Sequence, residues 1–518
     1  MWPSARSCLL IFIVAFVLDV IVANSMSQTF DEGNHLEYGT RILLGQPDRA
    51  GPYMDIKTPV AALNALPRFI GTRFDDSSPR IRKFFLSLTM ARFPSVLAAL
   101  GVILFVYLLA YELYGGEAAL GASVLAALSP NLIAHGTLAT SDGYFALGVL
   151  ATLFFFRRYL LHPNWANAWI SGFALAIAQI MKPLAAFLYP LAALFLIAAA
   201  LRHRWMKIGG KHLAVYALAA AVSNVVVLNV AYLFDRTFAP LSSYSFETPL
   251  FRSLQQAWPK VPVLVPYPVL QGLDMARHND AVGATYGNIY LLGTLRSNND
   301  PSFHGFKSYY LVAWLIKEPI ALQILFIWGL ILACRRRTET GLLFSVGLLL
   351  AASGILVSAL SLLSKAQIGI RHILPVLAIE VVIAGGVFSD WGTLSSGKKR
   401  VAALLVAWLA VSTFSYYPHM IPYMNEWVMD RKLSYRLLAD SNLDWGQNAG
   451  LVHRFLQNNP DVVLDPDKPV SGRILVSANR LIGIAPKEKG PLTWALQYRP
   501  VGHVGYAHLL FQIPPDAR

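Results

Sequence analysis

Six stretches of this chain place acids and bases beside apolar runs: "TFDEGNH" with Asp31 and Glu32, "DIKTPVAALNALP" with Lys57, "ATSDGYFALG" with Asp142, "MKP" with Lys182, "WLIKEPIAL" with Lys317, and "QIGIRHILP" with Arg371 and His372. Charged groups next to hydrocarbon are costly unless they face water or do a job. A carboxylate in this set can take a proton from a hydroxyl as a general base. Arginine and lysine can hold a phosphate and steady its charge as it leaves. Together these parts suit transfer of a group from a lipid-phosphate carrier. They suit an anion transporter less well, because the charges stand at the membrane boundary rather than near its midplane.

Simpler accounts exist for each residue. Ser141 and Asp142 fit a helix N-cap. Lys182 and Lys317 precede prolines at helix starts, where a lysine can snorkel to headgroups. Arg371 can serve as an interfacial anchor. Asp31 and Glu32 fit the first turn of an exposed helix. His35 and His372 read as packing or capping histidines, since no HxxxH or CxxC spacing accompanies them, and no metal site is expected.

The elements that must position these residues are membrane helices. The chain has 518 residues, of which 55% are hydrophobic and only 14% charged, against about 25% charged in a soluble domain. Its mean hydropathy is +0.49. The net charge of +14 matches the lysine and arginine excess of loops on the inner side of a membrane, so nucleic acid is not expected as a partner. Cys8 and Cys334 read as buried packing residues without a disulfide.

Apolar runs long enough to cross about 30 Å of hydrocarbon predict about 11 transmembrane helices, near 8–23, 94–113, 117–134, 143–160, 166–181, 183–201, 213–232, 312–333, 342–363, 372–389 and 401–418. The first is short and contains Asp19; with Arg6 before it and Ala23 at its end, it also fits a cleaved signal peptide. With the N-terminus inside, four basic clusters fall on one side: Arg157 with Arg158, "RHRWMKIGGK" (202–211), "CRRR" (334–337) and "GKKR" (397–400). That is the positive-inside pattern. The acids and bases above then share the outer face, with the polar loops 24–93 and 233–311 and a tail, 419–518.

The first loop reads as helical, through "HLEYGTRILLG" and "TPVAALNALPRFIG". In the second, "VPVLVPYPVLQG" reads as extended. The tail predicts a small α/β unit, with "AGLVHRFLQ" as a helix and "GRILVSAN" and "GYAHLLFQI" as strands. The expected fold class is mainly α: a polytopic membrane domain over 1–418 and a soluble C-terminal domain over 419–518.

Taken in order, these motifs resemble the GT-C superfamily of polyprenyl-phosphate-sugar-dependent glycosyltransferases, and within it the bacterial relatives of dolichyl-phosphate-mannose protein mannosyltransferases, the family 39 type. "FDEGNHLEYG" resembles the family's first acidic motif, "TSDGYFALGVLATLFFFRRYL" its second, "AQIMKPLAAFLYP" its Lys-Pro step, "YYLVAWLIKEPIAL" the later Lys-x-Pro step and "IGIRHILPVLAI" its arginine motif. "YMNEW" and "LLADSNLDWGQNAGLVHRFL" resemble the end of the last span and the start of the tail. Two departures stand out: His372 replaces an aromatic residue, and the first loop has Pro59 where the family often has two prolines.

The resemblance implies a GT-C-like membrane fold in a bacterial inner membrane with a periplasmic active site. It implies a lipid-linked monosaccharide donor, carried on undecaprenyl phosphate, and a protein or glycolipid acceptor, with no cofactor and no metal. It implies Asp31 as catalytic carboxylate with Glu32 as neighbour, and Lys57, Lys182 and Arg371 as ligands of the donor phosphate. Asp142 would position the acceptor or order the first loop, and Lys317 and His372 complete the expected substrate-binding set. Transfer would invert the anomeric centre. Competing classes are a transporter or flippase for lipid-linked sugars, which would use the same basic residues without breaking a bond, and a non-catalytic envelope assembly protein whose tail binds a partner.

Overall fold

The computed structural model describes residues 5–48, 57–74, 78–201, 208–283, 287–336, 340–484 and 490–515. It is mainly helical. The early helices are α1 (Ala5–Ser25), α2 (Phe30–Leu43), α3 (Ala61–Gly71), α4 (Pro79–Leu86), α5 (Leu88–Tyr114), α6 (Gly116–Leu128), α7 (Pro130–Gly136), α8 (Asp142–Leu161), α9 (Trp165–Met181) and α10 (Leu188–Leu201).

Among the described residues seven helices are long and apolar enough to cross a membrane, and nine spans result if two bent pairs each count as one. The pairs are α6 with α7, bent by 64°, and Tyr309–Lys317 with Ile320–Arg335, bent by 109°. Both breaks carry a proline in the first turn or cap of the second helix, Pro130 and Pro319, where a helix can start but not continue. Two further predicted spans fall short of that standard. Helix α9 has 17 residues, and the helix Ser396–Phe414 opens on Lys398, Lys399 and Arg400. The count of eleven is therefore not reached by helix length and composition.

Helix α8 has Asp142 at its first residue and Arg157 fifteen residues on, which at 1.5 Å per residue places them about 22 Å apart. The span Ile370–Phe388 likewise has Arg371 at its start, while Asp390, just past its end, pairs with Arg336 at 2.5 Å. The predicted site residues thus gather at one end of the bundle, and Arg157, Arg158 and Arg336 at the other. Residues 202–207 and 337 of the basic clusters lie outside the described residues.

Outside the bundle, α2 to α4 make the first loop helical, as expected. Of the stretch "VPVLVPYPVLQG", Pro262 forms an isolated β-bridge with Pro240 and residues 264–265 bend; a helix, Tyr267–Val282, takes up the rest, with Pro268 in its first turn, where the missing N–H costs nothing. The hairpin of β1 (Asn288–Leu291) and β2 (Thr294–Ser297) is antiparallel. In the tail, the helix Ala449–Asn458 accompanies a four-stranded sheet, β3 (Val463–Leu464), β4 (Gly472–Ser477), β5 (Gly502–Val504) and β6 (His508–Ile513), in the order β3-β4-β6-β5. Buried residues of this sheet, Ile474, Val476 and Phe511, continue the same apolar core as Leu377 and Leu438, so the tail packs onto the bundle. Cys334 is exposed rather than buried, Cys8 is half-buried, and both are free.

Candidate active site

Position on a helix separates the two adjacent acids. Successive residues point about 100° apart, and α2 starts at Phe30. Glu32 turns inward and is fully buried. Its Oε1 accepts from Arg92 Nε at 2.7 Å and from the Ala139 amide at 2.8 Å. Its Oε2 accepts from Arg92 Nη2 at 2.7 Å and from the Thr29 amide at 2.8 Å, closing the helix start. The remaining donors of Arg92 hold the carbonyls of Ala23, Met26 and Ser27. This bidentate pair ties α1, α2 and α5 together. Glu32, expected beside Asp31 in the catalytic group, stands apart from it with every acceptor direction in use.

Asp31 faces the other way, its side chain 30% exposed. Its Oδ2 accepts from Arg371 Nη1 at 3.0 Å. The same nitrogen lies 3.5 Å from Asp142 Oδ2, and Asp142 Oδ1 is paired with Lys182. Thr58 Oγ1 donates to the carbonyl of Met181 at 2.9 Å, which fastens the Lys57 segment beside Lys182. Buried Lys57 approaches His35 Nε2 at 3.4 Å. Burial would raise the pKa of Asp31, but the charges of Lys57 and Arg371 outweigh it and hold that pKa at about 2. Burial, reinforced by Lys57, holds His35 well below its ordinary value, so this imidazole is neutral. Asp31, Lys57, Asp142, Lys182 and Arg371, from five separate segments, thus form one charged cluster.

Lys317 and His372 are placed differently. Lys317 is fully buried, and its ammonium donates to two backbone carbonyls, of Ile421 and Asn442, each at 2.7 Å. It pins the start of the tail to the bundle. His372 lies against Tyr310, whose hydroxyl is 3.1 Å from Nδ1.

The tail loop "DSNLDWGQ" (440–447) also reaches this cluster. Trp445 lies under Arg371, with the guanidinium carbon 4.0 Å from the ring centroid. The loop's carbonyls accept from α2's approach, Trp445 from Phe30 at 3.0 Å and Gln447 from Ser27 at 2.9 Å. Asn442 Oδ1 accepts from the Ile370 amide at 3.0 Å, and Ser441 Oγ donates to the Ile368 carbonyl at 2.5 Å. The loop therefore braces both partners of the Asp31–Arg371 pair. It also brings a third carboxyl, Asp440, near Arg371 and Asp31; burial pushes its pKa up to about 7 against the pull of the Ser441 amide and Arg371. Nothing local in the sequence marks Trp445 or Asp440 as site residues. Arg92 did carry a signal: an ionisable residue entering a span requires a buried partner.

Arg371 is only 6% exposed, and its Nε is buried without a hydrogen-bond partner among the described residues. A buried guanidinium N–H with no acceptor is costly, and an anion oxygen supplies one. With Lys182 and Lys57 beside it, the cluster can take a phosphate next to a carboxylate base.

The comparisons with known proteins come from the same direction. A family model described as dolichyl-phosphate-mannose-protein mannosyltransferase matches residues 81–228, from α4 through the helix Gly210–Ala231. No curated protein matches the chain. Among solved structures, the oligosaccharyltransferase of Archaeoglobus fulgidus in its apo form shares the fold with a TM-score of 0.53 at 14% identity, over 82% of this chain and 57% of that one. The chain thus spans little more than half of that protein's length. ArnT from Cupriavidus metallidurans, bound to undecaprenyl phosphate, aligns over 98% of both chains at 13% identity with a TM-score of 0.49. The chain is thus similar to the protein mannosyltransferase family over residues 81–228 and to the Archaeoglobus fulgidus oligosaccharyltransferase in fold.

Proposed function

We propose that this chain is a membrane glycosyltransferase. It moves a monosaccharide from a polyprenyl-phosphate carrier to a hydroxyl of a protein or glycolipid acceptor, at the periplasmic face of a bacterial inner membrane. The observation that carries this reading is Arg371, which contacts Asp31 and Asp142, keeps an N–H without a partner among the described residues, and stands with Lys182 and Lys57 at one end of the bundle. The family model over residues 81–228 supports the same class of donor.

In this reading the donor phosphate engages Arg371, Lys182 and Lys57. That draws Arg371 away from Asp31, whose pKa then rises from its depressed resting value and makes it a better base. Asp31 takes the acceptor's hydroxyl proton, and the freed oxygen attacks the anomeric carbon. The bond from that carbon to the phosphate oxygen breaks, and its electron pair leaves on the polyprenyl phosphate. The three cations stabilise that charge. One displacement inverts the anomeric centre, with no covalent enzyme intermediate, and the mechanism assigns no step to a metal. Asp142 orients Arg371 and Lys182. The segment 419–518 acts as a C-terminal domain whose first loop closes the site.

The deciding experiment uses full-length protein in lipid vesicles with a panel of polyprenyl-phosphate sugars. Release of free polyprenyl phosphate that depends on Asp31 supports transfer. Movement of intact donor across the bilayer without release would make the protein a transporter.

A further inference from the structure

A second polar site lies at the opposite end of the bundle. There a cavity of about 490 Å³ is lined by Glu112, Arg157, Arg158, Leu161, His162 and Asn167. It sits where α5 and α8 end and α9 begins. Arg157, its side chain 10% exposed, pairs with Glu112 and donates through Nε to Ser345 Oγ at 2.7 Å. Arg158, 50% exposed, pairs through Nε with the other Glu112 oxygen at 2.5 Å, and its guanidinium lies 4.6 Å over the Phe154 ring.

The charges do not balance. Both oxygens of one carboxylate are spent on two guanidiniums, which leaves one net positive charge. Arg157 Nη2 and both Nη atoms of Arg158 have no hydrogen-bond partner among the described residues. Glu112 and Phe154 hold the two forks side by side, so little side-chain entropy remains to be lost on binding. The location is a membrane boundary. Arg158 stands in the last turn of a 20-residue span, with Arg157 just before it, and Trp165, 68% exposed, follows beside Trp169 at 5.8 Å. Exposed indoles at a span's end mark the headgroup layer.

We propose that this cavity binds the phosphodiester headgroup of an anionic phospholipid in the leaflet opposite the Asp31–Arg371 cluster. A phosphodiester carries the single negative charge that the pair of arginines lacks. Its two free oxygens match a guanidinium fork, and its acyl chains would run from Arg158 back along the span, past Phe155 and Ala151. Free phosphate shares this chemistry but has no apolar part to use the membrane boundary.

The test is native mass spectrometry of the full-length protein in a neutral detergent, with dioctanoyl phosphatidylglycerol, dioctanoyl phosphatidylcholine or inorganic phosphate added. Phosphatidylglycerol should be retained in preference to phosphatidylcholine. Arg158→Gln, a change at a half-exposed side chain, should lower that retention about five- to tenfold, the worth of one basic residue at a lipid surface. Arg336→Gln, at the same end but paired with Asp390, should leave it unchanged. Equal retention of the two lipids, or full retention in Arg158→Gln, would overturn the site. An equal loss in Arg336→Gln would reduce it to diffuse attraction. Displacement of phosphatidylglycerol by millimolar inorganic phosphate would reassign the cavity to a free anion and overturn the lipid.

Discussion

Asp31 and Arg371, 340 residues apart in the chain, meet through a 3.0 Å contact between Oδ2 and Nη1. The base and the phosphate ligand of the proposed reaction are thus each other's partner in the resting protein. In the proposed reaction, the pair keeps Asp31 ionised and the guanidinium oriented until the donor phosphate competes for Arg371.

Asp31→Asn keeps the shape and one acceptor oxygen but removes the base. Release of polyprenyl phosphate should fall by roughly 10²–10⁴ while the protein still inserts and binds donor. Turnover at the wild-type rate would remove Asp31 from the proton transfer.

Glu32→Gln should behave differently. It leaves Arg92 buried beside a neutral amide, and breaking a buried pair from one side typically costs about 3–5 kcal/mol. The expected outcome is a large fall in thermal stability, with activity lost in proportion to folded protein. A stable Glu32→Gln protein with abolished turnover would move the catalytic carboxylate one residue along.

Arg371→Lys retains the charge but loses the planar fork and the stack on Trp445. Arg371→Ala loses both. The barrier to transfer should rise by roughly 2–4 kcal/mol in the alanine variant and by less in the lysine variant. Steady-state rates with one donor suffice to order the three proteins, and equal rates in all three would place the phosphate elsewhere.

Asp440 gives a pH signature. Its pKa is about 7 in the folded protein and about 3.9 in an unfolded chain. Between those values the folded state binds the extra proton, so this group's contribution to stability declines as pH rises from about 4 through 7. Asp440→Asn keeps the acceptor oxygen for the Ser441 amide and removes the titration. The variant should therefore lose less thermal stability than wild type between pH 5 and pH 8. An unchanged pH dependence would contradict the shifted carboxyl.

Much of this molecule was readable along the chain because the signals are local. A run of apolar residues must become a helix in hydrocarbon, where every backbone group needs an internal partner. That alone located the segments around α1, α5, α8 and Ile370–Phe388, and period-2 patterning located β4 and β6. The family-like motifs likewise put Asp31, Lys57, Asp142, Lys182 and Arg371 at helix ends on one side. Helix length proved less legible, since the prolines after Leu128 and Lys317 divide two apolar runs into bent pairs.

Tertiary structure decided which partner each polar group takes. Asp31 and Glu32 are chemically near-identical neighbours; the Thr29-x-x-Glu32 spacing marks Glu32 locally as a helix-capping residue, but nothing local names the partner that either acid takes. One faces Arg371 and the other faces Arg92 because successive residues of α2 point about 100° apart, and the folded chain sets α5's Arg92 on one side of that helix and the arginine motif on the other. Lys317 resembles a site lysine in sequence, yet the folded chain presents it with the carbonyls of Ile421 and Asn442. Trp445 and Asp440 enter the site from a tail loop whose own residues look like an ordinary turn. Side-chain type and helical phase are written locally; pairing across hundreds of residues depends on how whole elements pack, and that packing determines which charges are buried together.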